Sequence, residues 1–246
     1  MLEKYMEECI MKGCNKKVII AILILFVISI LTFVFFKKNV LKVAYGENIS
    51  HAKDKVLYKF FKLQENTTLY YSGSLEYVEE INVNSTESND NETIVNISGK
   101  VIPMSDEGLD KSNLNIKLSY ILDGTSVRQI IETPNDMHSQ SIIKDSKILV
   151  SPLAVDNTWT ENFNYKSKEY TASTKIINIG ENEEGKKIIE TETTVNNIEG
   201  FGNNTYKETK TYTEGFGLTN FTRTLPSFGD SQTPCLDFTK KLFKTD

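Results

Sequence analysis

Residues 113–122 read NLNIKLSYIL, and their alternation decides the fold class. The side chains of Leu114, Ile116, Leu118, Tyr120 and Leu122 fall on one face of an extended chain, while Asn113, Asn115, Lys117 and Ser119 fall on the other. A half-buried β-strand follows. Leu75, Tyr77, Ile81 and Val83 alternate in the same way, with Glu79 as the exception. Between such runs lie turn signals: Asp123-Gly124 after Leu122, and ENEEG at 181–185 between KIINIG and KKIIETETTV, both read as hairpins. Ser72-Gly73 and Ser98-Gly99 read as weaker bends, and NSTESNDNET at 84–93 as a solvated loop. Thr205, Thr209, Thr211 and Thr213, flanked by Tyr206 and Tyr212, suit pleated strands and disfavour a helix. The chain from about Thr68 to Leu225 is therefore expected to be meandering antiparallel β-structure, a curved sheet or half-barrel.

Upstream the period changes. From Val18 to Phe36 the sequence VIIAILILFVISILTFVFF has 19 residues, no charge, and only Ser29 and Thr32 as polar side chains. At about 1.5 Å per residue it spans roughly 28 Å, close to a hydrocarbon core of about 30 Å, so the expectation is one transmembrane helix. A secretory leader would have a shorter apolar run and a small-x-small cleavage site, whereas Phe33 to Phe36 is followed by Lys37 and Lys38. Lys12, Lys16 and Lys17 nearly balance Lys37, Lys38 and Lys42 across the span, so charge bias alone does not set the orientation. Six of the 28 basic residues but only three of the 33 acidic ones lie before residue 39, which leaves a net charge of -8 on the rest. A long acidic part after a basic-flanked first helix reads as exported, with the plasma membrane as its location. MKGCNKK from Met11 resembles a bacterial export leader, and Met11 stands as an alternative start.

The expected organisation is a short cytoplasmic tail at 1–17, the transmembrane helix at 18–36 and a helical stalk or linker at 37–63. An antiparallel β domain at 64–230 and a C-terminal tail at 231–246 follow. Val56, Leu57, Phe60 and Phe61 recur at helical spacing in the linker. Within the domain, Leu63 to Leu69 and Leu153 to Trp159 share a leucine, a threonine five residues later and a bulky apolar residue at the sixth, which suggests two similar halves, 64–149 and 150–230.

These segments resemble a family of extracytoplasmic proteins and lipoproteins of Gram-positive bacteria. That family has an opening F-P-L-x-x-G-x-x-W-x-Y, a later P-L-x-x-G-x-x-W and a closing aromatic-x-x-G-hydrophobic-G-L. Phe61 to Tyr71, Pro152 to Trp159 and Tyr212 to Leu218 are the corresponding stretches, with Glu199-Gly200-Phe201-Gly202 where the family places a turn before a strand. Asn66 and Asp156 stand near the family's glycine, Leu69 replaces the first tryptophan, and a helix takes the place of an acylated cysteine. The resemblance implies an antiparallel β domain on the outer surface and brings no catalytic residues.

Chemistry is sparsely signalled. Only His51 and His138 are histidines, and no HExxH, CxxC or clustered Asp/His pattern occurs. Cys9 and Cys14 lie before the apolar run and Cys235 alone after it, so the outer domain has no intrachain disulfide and Cys235 no local support as a nucleophile. Glu79-Glu80, Asp106-Glu107 and Glu181, Glu183, Glu184 read as solvated faces or turns. SDEGLD at 105–110 lacks the spacing of a calcium loop, and the Gly-Phe-Gly pairs at 200–202 and 215–217 precede neither a helix nor Lys-Ser/Thr. With two arginines, Arg128 and Arg223, and a net charge of -5, a nucleic-acid partner is not expected. No catalytic, cofactor-binding or metal-binding residue and no cofactor is expected. The aromatics Tyr70, Tyr71, Tyr77, Trp159, Phe163, Tyr165, Tyr206, Tyr212, Phe216 and Phe221 either fill the core or line a cavity. The expected partners are the bilayer through 18–36 and an envelope component. The leading expectation is a non-enzymatic binding or scaffolding domain of the cell envelope. The alternatives are a carrier or sensor enclosing an apolar ligand between the sheet and the Val56–Phe61 helix, and more distantly a wall-polymer hydrolase.

Overall fold

The computed structural model describes residues 55–74, 77–103, 114–133, 139–227 and 236–246. The expected tail at 1–17, the expected transmembrane helix at 18–36, all three cysteines, both histidines and the SDEGLD stretch lie outside the described residues. A short helix α1 (Lys55–Phe60) leads into twelve strands: β1 (Thr68–Gly73), β2 (Tyr77–Ser88), β3 (Thr93–Pro103), β4 (Asn115–Leu122), β5 (Ser126–Ile131), β6 (Asp145–Val150), β7 (Thr158–Tyr165), β8 (Lys168–Glu181), β9 (Lys187–Asn196), β10 (Thr205–Thr213), β11 (Gly217–Thr224) and β12 (Asp237–Thr245). They form one antiparallel sheet in the order β6-β5-β4-β3-β2-β1-β12-β11-β10-β9-β8-β7. Two six-stranded meanders are thus joined along β1 and β12.

The sheet curls nearly into a barrel. Phe61, just after α1, lies 4.8 Å from the Tyr120 ring on β4 and 5.7 Å from the Tyr212 ring on β10, and five strands separate β4 from β10 in the sheet order. Only a sheet wrapped around that ring lets one side chain touch both. At the open edges β6 and β7 face each other through side chains. The Trp159 indole donates to the Lys147 carbonyl at 2.8 Å, Glu161 accepts from the Lys147 amide at 2.7 Å, and the Asn157 amide donates to the Val150 carbonyl at 2.9 Å.

The interior is closed at one mouth by α1, whose Leu57 and Phe60 are fully buried together with Phe61 and Leu63. Gly215 N donates to the Lys59 carbonyl at 2.8 Å, and Gly217, at φ 66°, lies against Phe61. The segment 139–143 is buried throughout, with Ile142 and Ile143 in one apolar cluster with Phe163, Tyr165, Phe201 and Tyr206. Leu63 and the α1 residues join the larger cluster that includes Leu69, Val95, Tyr120, Tyr212 and Phe238.

The two echoing segments form the same turn. Asn66 (φ 64°) and Asp156 (φ 71°) both adopt the left-handed conformation, which Asn and Asp tolerate better than other non-glycine residues. In the first copy Thr67 N donates to Gln64 O and Asn66 N to Val83 O; in the second Asn157 N donates to Ala154 O and Asp156 N to Ile176 O. The returning bonds match too, Val83 N to Thr67 O and Ile176 N to Asn157 O. Each turn thus launches its first strand against the second, β1 on β2 and β7 on β8. The Asp123-Gly124 and ENEEG hairpins are present, with Gly124 at φ 87° and Gly185 at φ 73°.

Four expectations are corrected. The tail at 231–246 contains β12, which pairs with both β1 and β11, because Phe238 and Lys240 alternate inward and Lys240 is neutralised there. Residues 55–63 are part of the domain core instead of a stalk, since their apolar side chains close the mouth. Asn84–Ser88 continue β2 instead of forming a loop, held to β3 by polar cross-strand bonds such as Ser98 to Asn84 and Asn96 to Ser85. Ser98-Gly99 lies inside β3, where a Cβ on Gly99 would meet the Glu80 carbonyl at 2.3 Å.

Two substitutions probe these features. Phe61→Ala should cost about 3–5 kcal/mol in a denaturant melt, the range for removing a buried aromatic ring. Asn66→Gly should be near neutral, whereas Asn66→Val should destabilise by roughly 1–2 kcal/mol, because a β-branched residue resists the left-handed backbone.

Candidate functional site

In β10 the sequence Tyr206-Lys207-Glu208-Thr209-Lys210-Thr211-Tyr212 turns Tyr206, Glu208, Lys210 and Tyr212 to the inner face, and all four are buried. The same parity puts Glu79 of β2, Arg223 of β11 and Lys240 of β12 inside. An ionised side chain taken out of water must be paired, and these are. Lys210 Nζ lies 2.6 Å from Glu208 Oε1, and Lys240 Nζ lies 2.6 Å from Glu79 Oε2. Tyr206 OH donates to the second oxygen of Glu208 at 2.6 Å. Arg223, opposite Glu208 in the register, donates to the Gln140 carbonyl and lies 5.7 Å from the Tyr206 ring.

The two ion pairs are neighbours because the register makes them so. Phe221 of β11 stands opposite Lys210 on one side and Lys240 on the other, and its ring centroid is 5.9 Å and 5.6 Å from the two ammonium groups. Lys240 also lies 5.3 Å from the Tyr71 ring, whose hydroxyl donates to the Leu218 carbonyl at 2.6 Å. An ammonium near an aromatic face gains from the ring quadrupole where water is excluded.

Burial sets the titration of these groups. It pushes the Tyr71, Tyr206 and Tyr212 hydroxyls well above the ordinary phenol range, with nearby Tyr120 and Glu79 adding to the rise at Tyr71. Burial also works against a charged Glu208, but the Lys210 ammonium and the hydrogen bonds of Lys210, Ser141 and Tyr206 outweigh it and hold the carboxyl below its usual value.

Beside the lysines is a pocket of about 40 Å3, partly open to solvent. Lys210, Lys240, Tyr71, Tyr120, Gln140 and Ser139 are among the residues that line it, whereas Glu79 and Glu208 are not. Leu63, Leu69, Phe216, Leu218 and Phe221 supply apolar wall. At roughly 10–15 Å3 per water, the space suits a few waters or one small ion and excludes a lipid chain. Among the described residues no group of three or more His, Cys, Asp or Glu side chains is arranged to hold a metal ion.

The sequence pointed elsewhere for acidic chemistry. Glu183 and Glu184 are exposed in the β8–β9 turn and Glu181 is exposed at the end of β8, as expected; Glu80 sits half-buried 3.4 Å from Lys100. Glu79, read as part of a solvated face, is instead 1% exposed. The signal was its apolar parity in β2, together with Lys240 on the parity of Phe238 and Leu242, and Glu208 and Lys210 on that of Tyr206 and Tyr212. Most of the aromatics fill the two core clusters, Phe216 and Tyr71 touch the cavity, and Tyr70 stacks outward against Phe243 at 6.4 Å.

No family model matches the chain, and no curated protein matches it. Among solved structures it is similar to a candidate lipoprotein from Parabacteroides distasonis ATCC 8503, with 11% identity over 74% of this chain and 96% of that one and a TM-score of 0.46. It is also similar to a candidate exported protein with a YmcC-like fold from Bacteroides fragilis NCTC 9343, with 8% identity over the same shares and a TM-score of 0.41. Likeness this distant leaves the functional argument to the chain's own geometry.

Lys240→Met leaves Glu79 buried without its cation and should cost about 3–5 kcal/mol in a denaturant melt, whereas Glu79→Gln with Lys240→Met removes both charges and should cost distinctly less. Because the Glu208 carboxyl is held below its ordinary value, its charge contributes stability above about pH 4.3, and that contribution is lost as pH falls through the lowered value. The stability gap between wild type and Glu208→Gln should therefore be largest near neutrality and narrow below about pH 4.

Proposed function

We propose that the chain is a single-pass membrane protein, anchored through residues 18–36, whose β domain lies on the extracytoplasmic side and binds or scaffolds an envelope component through its outer surface without catalysis. The observation that carries this reading is the filled interior. With α1 closing one mouth, segment 139–143 packed inside and the pocket beside Lys210 and Lys240 holding about 40 Å3 among the described residues, recognition falls to the outside of the sheet and its connections. The 19-residue apolar run and the acidic balance of the chain after it support the anchoring and the export. The resemblance to extracytoplasmic proteins of Gram-positive bacteria supports the same compartment, and the Asn66 and Asp156 turns put left-handed backbone in the stretches where that family carries glycine.

A carrier reading is favoured by one feature, the position of Leu63 and Phe216 on the cavity wall directly beside the α1 plug. It requires the plug to leave, which would expose Leu57, Phe60 and Phe61 at roughly 1.5–3 kcal/mol each. A wall-polymer hydrolase is disfavoured by the pairing of each inward glutamate with its own lysine.

The topology is tested on intact cells with a membrane-impermeant thiol reagent, in a chain carrying Cys9→Ser. Cys235 should react on intact cells and Cys14 only after lysis. Reaction of Cys14 on intact cells, with Cys235 reacting only after lysis, reverses the orientation. Native mass spectrometry of the purified chain should show no bound lipid; a stoichiometric apolar adduct would replace the scaffold reading with the carrier.

A further inference from the structure

The two inward ion pairs differ in how their carboxylates are held. Glu208 has a partner on each oxygen, Lys210 on Oε1 and the Tyr206 hydroxyl on Oε2. Glu79 meets Lys240 through Oε2 at 2.6 Å and leaves Oε1 buried without a hydrogen-bond partner. The second pair is enclosed by aromatic rings, with Lys240 Nζ 5.3 Å and 5.6 Å from the centroids of Tyr71 and Phe221. Opposite charges forfeit their hydration in such a place, whereas a neutral acid beside a neutral amine has less to lose. The sheet holds the two groups together across β1, where Tyr71 stands opposite Glu79 and Gly73, which has no side chain, stands opposite Lys240.

We propose that Glu79 and Lys240 condense into an amide, a self-formed cross-link that ties β2 to β12 across β1. The Lys240 ammonium first gives one proton to the Glu79 carboxylate. The neutral amine then attacks the carboxyl carbon, the C–N bond forms as one C–O bond breaks, and a second nitrogen proton leaves with that oxygen as water. The third proton stays on the amide nitrogen, so nothing is oxidised or reduced and no co-reactant is needed. Groups held at attack distance react as though at effective concentrations on the order of 10⁵–10⁸ M, which offsets the reluctance of an acid and an amine to condense in water. Burial, and after it the neighbouring Tyr120 and Glu79, keep the Tyr71 hydroxyl protonated; burial and Glu79 do the same for Tyr120, so two proton donors stand near the carboxyl. The pocket that Lys240 lines is partly open to solvent and gives the released water a way out. Glu208 and Lys210 stay an ion pair, because both Glu208 oxygens are held. The new bond joins residues 161 apart, the task a disulfide performs elsewhere. This cross-link is independent of the outer-surface function proposed above.

The full chain, purified folded in detergent micelles, is denatured and weighed by intact-mass spectrometry, then digested with trypsin. The expected result is a mass one water below that of the sequence, and a branched peptide in which the Glu79 side chain is joined to Lys240. Both should disappear in Lys240→Arg, which keeps a cation beside Glu79 but no amine nucleophile. The full sequence mass in folded chain after prolonged incubation overturns the proposal, as does a water loss that persists in Lys240→Arg or maps to another pair of residues. Should Lys240→Arg not fold, the wild-type mass and the branched peptide decide between these outcomes.

Discussion

The interior of a twelve-stranded curled sheet is wider than its own inward side chains fill, and the fold depends on what is placed inside it. Phe61 answers that need by reaching Tyr120 and Tyr212 across the sheet, and Leu57 and Phe60 complete the stopper behind it. The buried segment 139–143 performs the corresponding task among Phe163, Tyr165 and Tyr206. Without these insertions the strands would enclose empty apolar space or flatten.

Part of the remaining volume is taken by charged side chains. Glu208–Lys210 and Glu79–Lys240 are long side chains that fill space as much as they carry charge, and the register around Phe221 brings the pairs together. Such pairs add little net stability over an apolar core of the same shape, but each member punishes any register that separates it from its partner. Lys240 and Glu79, 161 residues apart, can meet only when β12 lies correctly on β1.

Much of the sheet was legible in the sequence because period-two alternation and turn chemistry are local. NIKLSYIL at 115–122 became β4 with Ile116, Tyr120 and Leu122 inward, Leu118 half-buried and Ser119 buried from the face expected to be outer, and Asp123-Gly124 became its hairpin. The echo at Leu63 and Leu153 was legible as well, since the turn demands a residue tolerant of left-handed backbone in both copies. The inward charges were not legible as a group. Glu79 showed only as a break in alternation, and Lys240 lay in a stretch read as a tail, because a polar residue on an inward face looks like an outward one until its distant partner is known. The same non-locality hid β12, whose place is set by β1 and β11.

The pairing of β1 with β12 ties the first strand of the sheet to the last. Leu69 stands opposite Thr245, and Thr68 and Asp246 exchange both backbone hydrogen bonds. Because a ribosome delivers β1 first and β12 after all the others, the seam between the two meanders is the final one to knit. Until then β1 keeps one row of amide and carbonyl groups bare throughout synthesis. A chain emerging gradually from a translocation channel would carry that sticky edge for the whole passage, making it a natural client for a chaperone that shields lone strands.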